Sequence, residues 1–376
     1  MKSRNFDETQ TLLQNALQRE LKGFSLAGYI QKVADGDDLS VDDAVSAMKI
    51  LMSGEARESE MRDLLVSLHK KGETVEEITS FAFTMRAYAD SIAEIKKTGM
   101  SDFADTCGTG GKAQEGLTIE TFNVSTASAF ILAGAGVRVA KHGNRSITSG
   151  CGSADVLECF GVRIDMPLPK VFRCIQEVGI GFIFAPLVHR ATRFVQPIRK
   201  TIPHPTIFNI LGPLSNPFYP SYQLMGIYHP GLTEIIAGAL RLLGARRALV
   251  VHGFNADLSG GMDEVSLCGP TRISQLTEGA GITTYEVTPG SLGLSAADPA
   301  DLKGAGKEEN ARIIRDILSG RETGPRRHLL ILNAAAALVA CGKAADLAGG
   351  MQLAEHSVDS GSAQARLEAL ITFSSR

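Results

Sequence analysis

DTCGTGGKAQEGLTIETFNVSTASAFILAGAGVRVAKHGNRSITSGCGSADVLECFGV, residues 105–162, is the stretch on which the reading of this chain turns. Its glycine turn, Cys107 to Gly111, has Gly108, Gly110 and Gly111 where backbone N–H groups can approach an anion without a Cβ in the way. It is neither a GxGxxG fingerprint nor a P-loop: Lys112 follows the glycines directly, but the spacing GxxxxGK(S/T) is absent. Asn123, Ser125 and Thr126 then open a predicted helix over 125–134, and free amides with short hydroxyl side chains at a helix start suit phosphate. The predicted strand VRVA delivers Lys141, His142, Asn144 and Arg145 at its carboxyl end, where α/β sheets bind ligands. Taken singly, these are a turn, a helix cap and a solvated basic run. In succession they point to a site that wraps a polyanion.

Upstream of this stretch the pattern is helical throughout. Apolar positions at helical spacing predict a helix over 6–24 and another over 25–37. Ser40 with Asp43 and Thr74 with Glu77 read as capping boxes opening two further helices, and Gly54 reads as a stop. One more helix is expected from about Glu58. Downstream, apolar runs with strand character (VRVAKHG, VRID, IGFIFAP, YQLMGIY, RRALVVHG, VSLCGPTRISQL, TTYEV) alternate with helical stretches. That alternation predicts an α/β fold with a mostly parallel sheet covered by helices. The expected division is a small all-helical domain over 1–96, with 1–24 as an extension, and an α/β domain over 97–376. Some helices within about 165–215 are expected to pack on the helical domain.

Composition narrows the function classes. With 376 residues, the chain is long enough for two domains with a sizeable core. A net charge of -3 argues against a general nucleic-acid or anionic-membrane binder, which needs a basic surface. The six cysteines show no CxxC pair or zinc-ligand spacing and read as small buried hydrophobes in a reducing compartment. The polar start MKSRNFDETQ and the short apolar runs give an expectation of a soluble, cytoplasmic protein with no membrane partner.

A second constellation lies at Gly260-Gly261-Met262-Asp263-Glu264, after the apolar run ALVVHG. Two adjacent carboxylates in a glycine-flanked loop suit Mg2+, which binds through one or two carboxylates and takes its remaining ligands from phosphate and water. In isolation the pair reads as a solvated turn; with a phosphate cradle elsewhere in the chain the metal reading is preferred.

GTGG, NVSTAS, KHGNRS, GSADVLE, TIFNILGPLSNP, GMDEVSL and LNAAAAL, in that order, resemble the anthranilate phosphoribosyltransferase family over roughly residues 25 to 372. KHGNRS separates the chain from the pyrimidine nucleoside phosphorylases, which share the fold. The resemblance implies a homodimer contacting through the helical domains, with the site in the cleft between the two domains of each subunit. It implies transfer of phosphoribosyl from 5-phosphoribosyl 1-diphosphate (PRPP) to anthranilate, within tryptophan biosynthesis. By resemblance, PRPP falls to Gly108, Gly111, Thr121, Asn123, Ser125, Thr126, Lys141, Ser149 and Ser153. Mg2+, two per site, falls to Ser125, Asp263 and Glu264, and the acceptor amine to Gly108, His142 and Asn144.

Two positions depart from the family pattern. Lys112 stands where the family's loop has Asp (GTGGD), and AQEGLTIE lengthens the link to Thr121-Phe122-Asn123. Pro205 stands before TIFN where the family usually has an Arg for the anthranilate carboxylate; His204, Arg190, Arg193, Arg199 and Lys200 are the nearby substitutes. Two alternatives therefore stay open: a phosphoribosyltransferase for another aromatic or heteroaromatic amine, and a catalytically idle binding relative. A glutamine amidotransferase partner is not readable from the sequence, nor is a role for residues 1–24.

Overall fold

The computed structural model describes residues 5–90, 100, 102–110, 117–146 and 151–376. By contacts the chain divides into two compact units. One comprises Met1–Ser91, Pro186–Pro217 and Gly238–Gly244; the other comprises Ile92–Ala185, Phe218–Ala237 and Ala245–Arg376. Among the described residues no helix is long and apolar enough to cross a membrane.

The first unit is built on helices whose starts are local chemistry. Ser40 and Asp43 exchange side chain-to-backbone hydrogen bonds, as do Thr74 and Glu77, so both expected capping boxes form. They open Val41–Ser53 and Val75–Ala87. Gly54 ends the first of these at φ +83°, and a Cβ there would also lie 2.7 Å from the Phe194 ring. The N-terminal helix runs only Phe6–Gln18 and the next only Ala27–Ala34, both shorter than their spacing predicts. Glu58–Lys71 begins where expected.

Arg86, buried in this unit, donates from Nε to the Leu214 carbonyl (2.6 Å) and from Nη1 to the Leu243 carbonyl (3.2 Å). Those oxygens end Ile207–Leu214 and follow Thr233–Leu242, so one guanidinium satisfies two helix C-termini and complements their dipoles. Arg86→Met leaves two buried carbonyls without that donor, at about 1–3 kcal/mol each. A fall of about 2–6 kcal/mol in unfolding free energy is expected. An unchanged thermal or denaturant midpoint would remove Arg86 from this role.

Among the described residues of the second unit eight strands form one sheet: β1 Ala104–Gly108, β2 Val139–Gly143, β3 Ile180–Phe184, β4 Tyr222–Gly226, β5 Arg247–Phe254, β6 Gly261–Met262, β7 Thr271–Thr277 and β8 Gly281–Val287. Their order is β3-β2-β1-β4-β5-β7-β8, with β6 paired to β5. β1 to β5 run parallel to one another; β6 and β7 pair antiparallel with β5, and β8 antiparallel with β7. The chain winds outward from β1 through β2 and β3, then returns on the other side of β1 with β4 and β5. The switch point of a doubly wound sheet therefore lies between β1 and β4, where such folds place ligands at the carboxyl ends of strands.

Two strand expectations fail. VRID (162–165) is a loop, too short and too close to the helix after it to pair. Val265 to Pro270 is an irregular connection into β7, in which the Ser266 hydroxyl accepts from the amides of Cys268 and Gly269. The helices Val124–Gly134 and Pro325–Ala340 are central: Phe130 to Leu132 and all of Leu329 to Ala340 are buried.

Candidate functional site

Glycine at the strand ends creates the space for the acidic loop. Gly108 and Gly226, last residues of β1 and β4, sit in register with each other. A Cβ on Gly226 would lie 1.5 Å from the Asp263 carbonyl oxygen, and one on Gly108 would lie 2.2 Å from Asp263 Oδ2. At Gly253 in β5, a Cβ would lie 2.6 Å from the Glu264 carbonyl oxygen. The Asp263-Glu264 loop thus lies directly on three bare strand ends at the switch point. Gly226 and Gly253 were not among the sequence candidates; the available signal was a glycine closing each strand run, in YQLMG and LVVHG.

Each acid is then held by the glycine-loop segment. Gly110 N donates to Asp263 Oδ2 (2.9 Å), and the Thr121 hydroxyl lies 3.0 Å from both Glu264 carboxylate oxygens. Burial pushes the Asp263 carboxyl above its ordinary value, with the Gly110 amide opposing. Burial pushes Glu264 well up, the neighbouring Asp263 charge adds to this, and the Thr121 hydroxyl opposes it. Two carboxylates forced together out of water, with backbone amides and one hydroxyl as their donors among the described residues, make an oxygen donor set short of positive charge. That is the chemistry a hard divalent cation satisfies.

The helix Val124–Gly134 begins without a side-chain cap. Asn123 does not cap it: its Nδ2 donates to the Cys151 carbonyl (3.0 Å) and its Oδ1 accepts from Asn310 Nδ2 (3.0 Å). Thr126 Oγ1 is buried in the first turn with no hydrogen-bond partner among the described residues. An uncapped N-terminus with an orphaned hydroxyl is fitted to an anion. Lys141 is 3% exposed; its Nζ donates to the Thr106 carbonyl (2.5 Å), and the Thr106 hydroxyl donates to the Ser125 carbonyl (2.7 Å). The ammonium is therefore tied to the backbone of β1 and, through Thr106, to the first turn of this helix.

The rest of KHGNRS is a packed corner. His142 is 6% exposed, and its amide donates to Asp105 Oδ1 (3.3 Å). Ser153 Oγ exchanges hydrogen bonds with the backbone N and O of Asn144 (3.2 Å each), and a Cβ on Gly143 would lie 2.1 Å from that oxygen. Arg145 is not an uncommitted cation: it forks onto Glu158 (2.5 and 2.7 Å) and reaches Asp155 (3.1 Å). Gly111, Lys112 and Ser149 lie outside the described residues. The structure thus joins Gly108, Thr121, Asp263 and Glu264 in one contact set, Lys141 and Ser125 in a second, and Asn144 with Ser153 in a third; Asn123 is turned to Cys151 and Asn310.

Pro205 and its alternatives belong to the other unit. Pro205 is buried, and its carbonyl accepts from His204 Nδ1 (2.8 Å). The His204 ring stacks on His69 at 4.1 Å. Arg190 pairs with Asp90 (3.4 Å). Arg199 differs: its guanidinium lies 5.3 Å from the Phe208 ring centroid and donates to Gln196 Oε1 (3.3 Å), with no carboxylate partner among the described residues. Burial pulls its pKa down to about 10, which leaves it charged at neutral pH.

Residues 100–364 match the glycosyl transferase family a/b domain, and residues 27–89 match the helical bundle domain of the same family. The anthranilate phosphoribosyltransferase of Moorella thermoacetica is 47% identical over 348 residues, 93% of this chain and 98% of that one. The crystal structure of anthranilate phosphoribosyltransferase from Thermus thermophilus superposes with a TM-score of 0.83 at 38% identity, covering 92% of this chain and 99% of that one. That of the Saccharomyces cerevisiae enzyme in complex with PRPP and Mg superposes with a TM-score of 0.79 at 26% identity, covering 93% and 98%. Two domain matches and near-full-length identity of this size place the chain in the anthranilate phosphoribosyltransferase family.

Proposed function

We propose that the chain transfers the 5-phosphoribosyl group of PRPP to the amine of anthranilate with release of diphosphate. The observation that carries this reading is the seating of Asp263 and Glu264 on the bare ends of β1, β4 and β5, at the switch point of the sheet. Asp263 and Glu264 would hold Mg2+, with Ser125 as a further oxygen ligand and two ions per site. Bound there, the metal supplies positive charge against the diphosphate as it departs. The uncapped start of Val124–Gly134, with Ser125 and the orphaned Thr126 hydroxyl, receives phosphate oxygens. Lys141 adds its ammonium beneath that turn, and the Gly108–Gly110 amides border the diphosphate. Asn144 and Ser153 form the corner at the end of β2. Chemically, the aryl amine is neutral at pH 7 and offers its lone pair without a strong protein base. The barrier lies in breaking the ribose C1–oxygen bond, so fixed charges and positioning do the catalysis.

Arg199 is the group we assign to the acceptor carboxylate. Two guanidiniums near Pro205 have an aromatic platform and no carboxylate partner among the described residues; Arg193, 4.8 Å from the Phe194 ring centroid, is exposed, whereas Arg199 is half-buried. Arg199→Lys keeps the charge but loses the planar fork. Its expected effect is a rise of about 10-fold in KM for anthranilate, equivalent to about 1.4 kcal/mol, with little change in KM for PRPP. Equal rises in both constants would remove Arg199 from the acceptor.

The decisive experiment follows anthranilate fluorescence with purified protein, PRPP and Mg2+. Loss of fluorescence that needs all three supports the reading. Diphosphate release only with another aromatic amine would move the acceptor, and failure to bind PRPP would leave a binding relative. A homodimer and a cytoplasmic location complete the proposal; sedimentation of the full chain as a monomer would overturn the first.

A further inference from the structure

The lengthened link before Thr121 has no place in the chemistry above, yet its second half is packed onto the metal loop. Leu117 and Ile119 are buried while Thr118 and Glu120 are exposed, the period-two pattern of an extended edge. Leu117 pairs with Gly261 as a parallel bridge, and the amides of Thr118 (3.0 Å) and Ile119 (3.2 Å) both donate to the Gly261 carbonyl. Gly261 belongs to β6, which itself pairs with β5 and runs straight into Asp263-Glu264. Close approach is required at this seam. A Cβ on Gly260 would lie 1.9 Å from Thr118 Oγ1, and one on Gly261 would lie 2.3 Å from the Gly253 carbonyl oxygen and 2.7 Å from His252 Nε2.

The two ends of the same segment grip the two acids. Gly110 donates to Asp263 before the link, and Thr121 donates to Glu264 after it. A loop of two like charges, both pushed apart by repulsion and out of the protein by desolvation, is held in place by backbone contacts on one side and one hydroxyl on the other.

We propose that residues 117–121, the described end of the lengthened link, form a strap that positions the acidic pair for Mg2+, anchored by Leu117 and Ile119 on β6 and delivering Thr121 to Glu264. Leu117, Thr118 and Ile119 are positioning residues that act through Gly260 and Gly261. The inference rests on the metal assignment made above, and the strap lowers the Mg2+ concentration needed to bind PRPP rather than the barrier once Mg2+ is bound. Loss of an outer-shell support of this kind typically weakens metal affinity by about 10- to 100-fold.

The test is calorimetric titration of PRPP binding at a series of Mg2+ concentrations, for the intact protein, Leu117→Ala/Ile119→Ala and Gly260→Ala. The expected result is a rise of about 10-fold or more in half-saturating Mg2+ for both variants, with PRPP affinity at saturating Mg2+ and kcat within about twofold of the parent. If the parent needs Mg2+ and folded variants share its titration curve, the strap is overturned while the metal assignment stands. If the parent binds PRPP equally well without Mg2+, the metal assignment itself falls. Should the double variant not fold, Gly260→Ala decides, because it presses on Thr118 without removing any core side chain.

Discussion

Glu264→Gln is expected to lower phosphoribosyl transfer by roughly 100- to 1000-fold and, in the metal-free protein, to raise the thermal midpoint. The rate loss follows from the role assigned to the carboxylate. Stabilising charge on a departing diphosphate is the main catalytic demand, and removing one preorganised contact of that kind typically costs about 2.7–4 kcal/mol. Gln keeps the shape and still accepts the Thr121 hydroxyl, so the loop is not displaced. The stability gain follows from burial. Glu264 is held well above the ordinary carboxyl value by desolvation and by Asp263. In the unfolded chain the same group ionises near its usual value. Above that pH the unfolded state carries fewer protons than the folded one, so the contribution of Glu264 to stability declines as pH rises. Gln has no proton to lose and escapes that decline. Melting curves in a chelator between pH 4.5 and 8 should therefore show the variant's advantage growing with pH. Adding Mg2+ to the parent should close the gap. A variant that retains activity within tenfold, or an advantage that shrinks with rising pH, would refute the assignment.

Site chemistry was more legible in the sequence than site geometry. Gly108 to Gly110, NVST and the adjacent Asp263 and Glu264 are local statements, and the structure puts them at strand ends and a helix start. The capping boxes at Ser40 and Thr74 were legible for the same reason, since all partners lie within one turn. What could not be read was long-range. Arg145 resembles a ligand cation until Glu158, thirteen residues later, is seen to neutralise it. Asn123 resembles a helix cap until Asn310 and Cys151 are seen to claim its amide. Lengthening of the link before Thr121 read as a disturbance of the glycine loop, because nothing nearby shows that Leu117 and Ile119 will bridge to Gly261. VRID has strand composition and no strand to pair with. In the acceptor segment, Pro205 drew notice as a missing cation. Arg199, six residues earlier, was one of five nearby substitutes, and its lack of a carboxylate partner among the described residues is seen only in the structure.

Gly226→Ala is the substitution with the largest expected effect for the smallest change in the chain, about 100-fold or more in kcat with the fold retained. Gly226 does not adopt the left-handed backbone region, so alanine is conformationally acceptable there. The cost is one of space alone. A Cβ at 1.5 Å from the Asp263 carbonyl oxygen and 2.3 Å from its carbon meets backbone, which cannot rotate aside. To reach ordinary contact the loop must move by more than about 1 Å, and a misplacement of that size at reacting groups costs on the order of 100-fold. Gly108→Ala is a natural control. Its Cβ would meet the Asp263 carboxylate at 2.2 Å, a side chain that can turn away while giving up the Gly110 hydrogen bond. It should be clearly the milder of the two in kcat, with most of its effect recovered by raising Mg2+, because turning the carboxylate weakens one ligand without shifting the backbone of both. Steady-state kinetics of the two variants at several Mg2+ concentrations, with circular dichroism to confirm the fold, reads the difference. Equal losses, or a Gly226→Ala enzyme within threefold of the parent, would mean that the bare strand ends do not set the position of the acidic pair.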